Sequence, residues 1–291
     1  MNDRKYRLHQ SPVRVGPIRA GMWAALLFTF VFLCFAVSCN SAGVSKDPAE
    51  VAPTPGEQAN AEPEPLILKI GYSKFPYPPL QYLDDNKELI GFDIELAKAA
   101  AQLMNAELEF IPIDWSDRAS ILTDGEVDML WGGLERASLD EQQIKFTKSY
   151  LRSDIVLLMN EEDNYSRFED LQGLSVCALN FTPAFYYLQV YNRDVIKSRR
   201  SFTPPQYREL LNSLSSGEFD CMITDTSFAA FYRQATGIGY KMSDTVLGSN
   251  YAVALRIEDV DLFESLQAAL DALEADGTIA RLREKWIPAM P

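Results

Sequence analysis

The stretch Leu66–Met104, LILKIGYSKFPYPPLQYLDDNKELIGFDIELAKAAAQLM, decides the fold. It opens on an apolar run, Leu66–Tyr72 (LILKIGY), that reads as a strand. It closes on IELAKAAAQLM, where Ile94, Leu96, Ala97, Ala100, Ala101 and Leu103–Met104 follow a 3.6-residue period and predict a helix with Asp93 as its cap. The alternation continues downstream. Glu107–Ile113 is a second strand, Arg118–Leu122 a short helix and Val127–Trp131 a third strand. After the loop Asp170-Leu171-Gln172-Gly173 the pattern restarts, with strands at Leu174–Leu179 and Phe219–Thr224 and helices at Tyr207–Leu214 and Ser227–Gln234. Two helices, Val260–Glu274 and Thr278–Trp286, follow, separated by Ala275-Asp276-Gly277, a C-cap signal. Strand–helix alternation predicts parallel strands covered by helices, and two rounds of it predict two α/β lobes. In open sheets of this kind ligands sit beyond the carboxyl ends of the strands, so the residues just after each strand carry the information.

Upstream of this body the sequence changes character. Residues 1–22 hold Arg4, Lys5, Arg7, Arg14 and Arg19 against the single acid Asp3, and the apolar run Trp23–Val37 (WAALLFTFVFLCFAV) follows. A basic region and a short apolar run ending in small residues predict a secretory signal. A membrane-anchoring helix is the alternative, but the run is shorter than the roughly 20 residues a span needs. Ala36-Val37-Ser38-Cys39 resembles a bacterial lipobox, which makes Cys39 the lipidated residue after removal of residues 1–38. Cys34, between Leu33 and Phe35, fits less well. A cysteine ending an apolar run is otherwise a small hydrophobe. Residues 39–65 are rich in Pro, Ala, Glu and Gly, lack apolar periodicity and are expected to form a disordered tether.

Charge and histidine count exclude whole function classes. The formal charge is 27 − 41 = −14, and without residues 1–38 it becomes 22 − 40 = −18. A body this acidic is not expected to bind nucleic acid, whose phosphates need Lys and Arg. The single histidine, His9, lies in the signal. That excludes His-dependent triads and His-based metal sites from the body, and no metal or other cofactor is expected. Cys177 and Cys221 can pair in an oxidising compartment; as strand residues they are expected to be free thiols.

Several stretches, taken in order, resemble family 3 of the extracellular solute-binding proteins, the periplasmic amino-acid receptors of ABC importers. They are IGYSKFPYPPLQYLDDNKELIGFDIELAKA (70–99), DWSDRASILTDGEVDMLWGG (114–133), FTKSYLRSDIVLLM (146–159), FEDLQGLSVCAL (168–179), LLNSLSSGEFDCMITD (210–225) and YAVALRIEDVDLFESLQAALDALEADGTIARLREKW (251–286). The resemblance implies an α/β, two-lobed type 2 periplasmic binding fold, with two mixed sheets covered by helices and joined by a two-strand hinge. Residues 66–150 and 251–291 would form one lobe and 151–250 the other. The ligand would bind between them, and the lobes would close by hinge motion. It also implies a monomer outside the cytoplasm that hands a small solute to a membrane permease.

The family's ligand contacts transfer residue by residue. Tyr77, with Phe75 beside it, matches the aromatic that stacks on the ligand; loop packing against Pro78 and Pro79 is the other reading. Trp115 matches the second wall. Trp131 is either a third ring or core. Asp225 matches the acid that meets the ligand's ammonium, and it can also cap the following helix. Gly133 matches a family contact, and Thr182 lies in the turn that offers amide groups to the carboxylate. That carboxylate grip is altered. Asp140 stands where the family has its arginine, Glu135 where it has Ser or Thr, and Ala137 where it has Thr. The lobe-two turn reads Phe181-Thr182-Pro183 instead of Gly-Thr-Thr, and Pro183 has no N–H to offer. Carboxylates at Glu135, Asp140 and Asp225 beside aromatic walls suit a cationic amine or guanidine-like solute. Alternatively Arg136 or Lys74 supplies the missing cation, with Asp140 a surface residue at a helix start. Two further functions compete: an enzyme of cyclohexadienyl-dehydratase type on the same scaffold, and a ligand receptor for a sensor kinase or chemoreceptor.

Overall fold

The computed structural model describes residues 66–136, 139, 142–190, 198–202, 207–237 and 239–287. The signal and tether segments, with Cys39, lie outside the described residues, and so does Asp140. Strand β1 (Leu66–Ser73) pairs in parallel with β4 (Ala106–Ile113) along its full length and, through Ile70 and Gly71, with β5 (Met129–Leu130). β14 (Ala254–Arg256) and β6 (Ile144–Phe146) complete a five-stranded sheet ordered β4-β1-β5-β14-β6. A second five-stranded sheet is built from β8 (Ile155–Met159), β9 (Ser175–Leu179), β10 (Ser198–Phe202), β11 (Cys221–Asp225) and β12 (Lys241–Met242), in the order β10-β9-β11-β8-β12. The chain passes from the first sheet to the second through β7 (Leu151–Arg152) and returns through β13 (Asn250–Tyr251), which pair with each other. A small hairpin, β2 (Tyr82–Leu83) with β3 (Leu89–Ile90), precedes the first helix.

Helices cover both sheets. α1 (Phe92–Leu103) packs on α6 (Val260–Ala275) and α7 (Thr278–Trp286), and α2 (Arg118–Thr123) lies against β5 and β14. On the second sheet, α3 (Pro183–Val190) packs on β9 and β11, α4 (Tyr207–Ser215) on β9, and α5 (Thr226–Thr236) on β8 and β11. Among the described residues no helix is long and apolar enough to cross a membrane.

Strand–helix alternation alone predicts parallel strands; the sheets are mixed. β14 runs antiparallel to β5 and β6, and β8 antiparallel to β11 and β12. All five residues of β8 are buried, so its IVLLM run carries no alternation to mark it as a strand. A second correction concerns Asp93. The N-cap of α1 is Gly91, at φ 133, where a Cβ would lie 2.3 Å from the Leu80 carbonyl oxygen. The first amides of the helix donate instead to the loop before the hairpin: Phe92 to Pro79 O at 2.9 Å and Asp93 to Leu80 O at 3.0 Å. With those donors satisfied by backbone, the Asp93 side chain is released into the core.

Gly277, at φ 78 after the last residues of α6, takes the left-handed position expected of a C-cap glycine. Cys177 and Cys221 are free and buried on adjacent strands. The Cys177 thiol donates to the Cys221 carbonyl and the Cys221 thiol to that of Met222, and burial pushes both pKa values up.

Candidate functional site

Four strand ends meet at the cleft between the sheets. After β1 comes Lys74–Leu80, after β5 Gly132–Glu135, after β9 Asn180–Thr182, and Asp225 ends β11. This is where an open α/β sheet presents ligand-binding groups.

Asp225 is the most heavily satisfied carboxyl there. It caps α5, with Oδ1 accepting from the amides of Ser227 and Phe228, both at 3.1 Å, and from the Ser153 hydroxyl at 2.7 Å. Oδ2 accepts from the Tyr77 hydroxyl, which reaches across from the loop after β1. The Tyr77 hydroxyl also lies 3.2 Å from that of Tyr251, a residue of β13. Burial raises the Asp225 pKa, partly offset by its hydrogen bonds, and the buried Tyr77 hydroxyl is pushed well up by burial and by the carboxyl beside it. Asp225 thus performs the capping role and also receives a hydroxyl from the loop of the other sheet.

Glu135 is half-buried and accepts from the Tyr187 hydroxyl of α3 at 3.1 Å. Burial raises its pKa, offset in part by hydrogen bonds from Tyr187 and Ser249. Its backbone bridges to Tyr251, whose hydroxyl feels the charge of both Asp225 and Glu135. Tyr251 therefore stands between the two acids, its hydroxyl beside the Tyr77 hydroxyl that bonds Asp225 and its backbone bridged to Glu135.

The aromatic residues divide. Phe75 stacks on Phe181 with ring centroids 4.9 Å apart and planes 4° from parallel. Tyr77, Trp115, Phe75 and Phe181 line a common void of about 10 Å³. Trp131 takes the other course. It is buried in the core, its ring 5.8 Å from that of Tyr150.

Gly133 is a packing requirement. It sits at φ +60, and a Cβ there would lie 2.8 Å from the Tyr77 ring. Its amide donates to Asp93 Oδ2 at 2.8 Å, so a buried acid on α1 fixes the loop against which Tyr77 rests. Burial raises Asp93 from 3.8 to about 7, with the Gly133 amide and the nearby Tyr150 hydroxyl acting in the opposite direction.

The remaining expected contacts separate in the same way. Thr182 is the N-cap of α3: its hydroxyl accepts from the Phe185 amide at 3.3 Å and donates to Leu179 O at 2.8 Å. Pro183 is the first helical residue, where a missing N–H costs nothing. Lys74 is paired with Asp114 at 2.7 Å, and that hydrogen bond is the main reason the Asp114 pKa falls to about 2. Arg136 is exposed.

Arg118 escaped the sequence reading. It is 7% exposed, and its Nη1 donates to Trp115 O at 2.6 Å and to the Tyr186 hydroxyl at 3.3 Å. Its guanidinium lies 5.7 Å from the Trp115 ring centroid and 5.3 Å from that of Tyr186. A helix-start arginine gives no local sign of burial. Ser153, Tyr187 and Tyr251 were also missed, since they reach the site from elements remote in sequence. The one available signal was Thr182-Pro183, a helix-start pair followed by an apolar run.

The family model for bacterial extracellular solute-binding proteins, family 3, matches residues 68–289. ABC transporter arginine-binding protein 1 of Escherichia coli K12 is 28% identical over 217 residues, covering 73% of this chain and 87% of that protein. The structure of an ancestral arginine-binding protein bound to arginine superposes with a TM-score of 0.65 at 28% identity, over 76% of this chain and 97% of the other. An ancestral amino-acid-binding protein described as a precursor of cyclohexadienyl dehydratase gives a TM-score of 0.63 at 26% identity, over 76% and 95% of the two chains.

Proposed function

We propose, from the premise that this chain belongs to the bacterial extracellular solute-binding proteins of family 3, that it captures a cationic amine or amino-acid-like solute between two lobes and delivers it to an ABC importer. The lobes in this reading are 66–150 with 251–291, and 151–250. The observation that carries it is the meeting of Tyr77 and Asp225. They come from the ends of strands in different sheets, and the acid is presented by a helix N-terminus. A ligand ammonium can take the place of the Tyr77 hydroxyl on Oδ2 without disturbing the three bonds to Oδ1.

The charge of the solute follows from what surrounds Asp225. Glu135 lies on the other side of Tyr251, whose hydroxyl feels the charge of both, and both acids disfavour an anion close by. Arg118 is the counterweight: a buried cation on the Trp115 wall can accept a carboxylate, so an amino-acid-like solute remains compatible with the cleft. The E. coli relative and the ancestral structure are named for arginine, which has both a carboxylate and a cationic end. Lipidation at Cys39, with residues 39–65 as tether, would hold the receptor at the membrane outside the cytoplasm as a monomer.

The test is a thermal-shift screen against amino acids, polyamines, guanidines and quaternary amines. A ligand at 100 times its Kd adds about 2.7 kcal/mol of stability. Stabilisation by an amine or amino acid, lost in Asp225→Ala, is expected; no stabilisation by any compound of these classes would sink the reading. Binding of ordinary L-amino acids retained in Asp140→Ala would remove Asp140 from the site.

Glu135 favours one alternative, an enzyme on the same scaffold. A half-buried carboxyl with a raised pKa, hydrogen-bonded to Tyr187 in the cleft, is suited to general acid chemistry. Turnover of prephenate-like acids, abolished by Glu135→Gln, would establish it.

A further inference from the structure

We propose that a cavity behind the two linking strands is a second binding site, for a small zwitterion with an apolar side chain, of the leucine class. The site goes beyond the solute-receptor reading and stands or falls without it. The cavity is about 350 Å³, a volume that takes a small molecule, and it lies where β7 and β13 meet α6 and α7. None of the residues that line it lines the void beside Tyr77 and Trp115. Its chemistry is divided. Leu151, Leu270 and Ile279, all buried, give an apolar floor. Arg283 of α7 and Glu274 of α6 are exposed at its rim, and among the described residues neither forms an ion pair. The neighbouring cations are already matched, Lys148 by Asp271 and Arg152 by Asp154, each at 2.8 Å. A cation and an anion that line one cavity without meeting each other suit a molecule that carries both charges. Arg283 takes its carboxylate, Glu274 its ammonium, and the floor its side chain.

The linking strands are a wall shared by this cavity and the candidate site. Successive residues of an extended chain point to opposite faces. Arg152 and Asn250 line the cavity. The residues that follow them serve the site: Ser153 donates to Asp225 at 2.7 Å, and the Tyr251 hydroxyl lies 3.2 Å from that of Tyr77. The two segments are tied to each other, with the Ser153 amide donating to Ser249 O at 3.1 Å and the Tyr150 amide to Tyr251 O at 3.0 Å. A molecule seated in the cavity therefore bears on the backbone that carries Ser153 and Tyr251 and holds it in the paired arrangement.

The test measures binding of L-leucine, leucinamide and 4-methylpentanoate by calorimetry, the last two lacking the carboxylate and the ammonium respectively. The proteins are the wild type, Arg283→Ser, Glu274→Gln and Asp225→Asn, each checked for folding by circular dichroism. L-leucine is expected to bind the wild type and Asp225→Asn equally. Each truncated analogue, and L-leucine on each of the two rim variants, should bind about ten-fold more weakly. Hydrogen exchange in residues 149–154 and 249–253 should slow when L-leucine is added to the wild type and stay unchanged in Arg283→Ser. No binding of L-leucine to the wild type, or binding undiminished in both rim variants, overturns the site. Binding lost in Asp225→Asn but kept in the rim variants also overturns it, placing leucine in the cleft and leaving the solute-receptor reading standing. Binding that leaves exchange in both segments unaltered overturns the shared wall.

Discussion

Asp93 and Asp225 are both about 1% exposed and both stand at the start of a helix, one on each sheet, yet their surroundings answer them differently. Asp225 accepts four hydrogen bonds, from two amides and two hydroxyls. Asp93 accepts one, from Gly133; its Oδ1 closes no hydrogen bond of standard geometry among the described residues. The difference lies in position. Asp225 ends a strand at the cleft, where donors converge from both sheets and where, in the function proposed above, a ligand ammonium displaces the Tyr77 hydroxyl. Asp93 is turned into the core beside the first sheet, where the Gly133 amide and the nearby Tyr150 hydroxyl meet it. In that reading one acid changes partners, while the other holds a loop in place.

The largest effect should come from testing Asp93 with pH. Its folded pKa, about 7, exceeds the ordinary 3.8, so the folded protein binds the extra proton between those values. The contribution of Asp93 to stability is therefore fully present below about pH 4 and is lost as pH rises through 7, by an amount on the order of 4 kcal/mol. Chemical denaturation across pH 4–8 should show the fall in the wild type and a clearly shallower one in Asp93→Asn, where Asp225 and Glu135, also raised by burial, still contribute. An equal slope in both proteins would mean that Asp93 is not the buried acid that titrates.

Asp225→Ala comes next. It removes a helix cap and leaves the hydroxyls of Tyr77 and Ser153 without their acceptor, a loss of about 3 kcal/mol. Solute binding should disappear with it, as calorimetry would record. Binding retained in this variant would reduce Asp225 to a cap and make the two acids alike in function.

Gly133→Ala should cost about 2 kcal/mol, because the added methyl meets the Tyr77 ring and the backbone is left-handed. It sharpens the comparison because Gly133 connects the two acids, donating to Asp93 while supporting the ring that reaches Asp225. The smallest effect is expected for Tyr77→Phe. Loss of the hydroxyl should lower stability by about 1 kcal/mol and tighten amine binding several-fold, because the ligand no longer competes with it for Oδ2. Weaker binding would instead make the Tyr77 hydroxyl a ligand contact.

What the sequence disclosed follows from how local each feature is. β1, α1 and α7 were legible because their periodicity is carried by contiguous residues. Asp225 was legible as both cap and acid, since a strand-ending Asp before a helix announces itself. Asp93 was misread for the same reason: a helix-start acid looks like a cap unless it is known that Pro79 and Leu80 already take the first amides. Helix α3 (Pro183–Val190) went unread, because the altered turn Phe181-Thr182-Pro183 drew notice for what it lacked. The partners of Asp225 lie far along the chain, Tyr77 at 148 residues and Ser153 at 72. No window of sequence contains such a pairing; only the closing of one sheet on the other creates it.

The two buried thiols of the second sheet have a practical consequence. With their pKa values pushed up and water excluded, Cys177 and Cys221 hold a negligible thiolate fraction while the strands stay paired. Alkylation at either position must wait for β9 and β11 to separate. Peptide mass spectrometry of iodoacetamide uptake at these two sites therefore acts as a clock for opening of the second sheet, and a solute that closes the cleft should slow it.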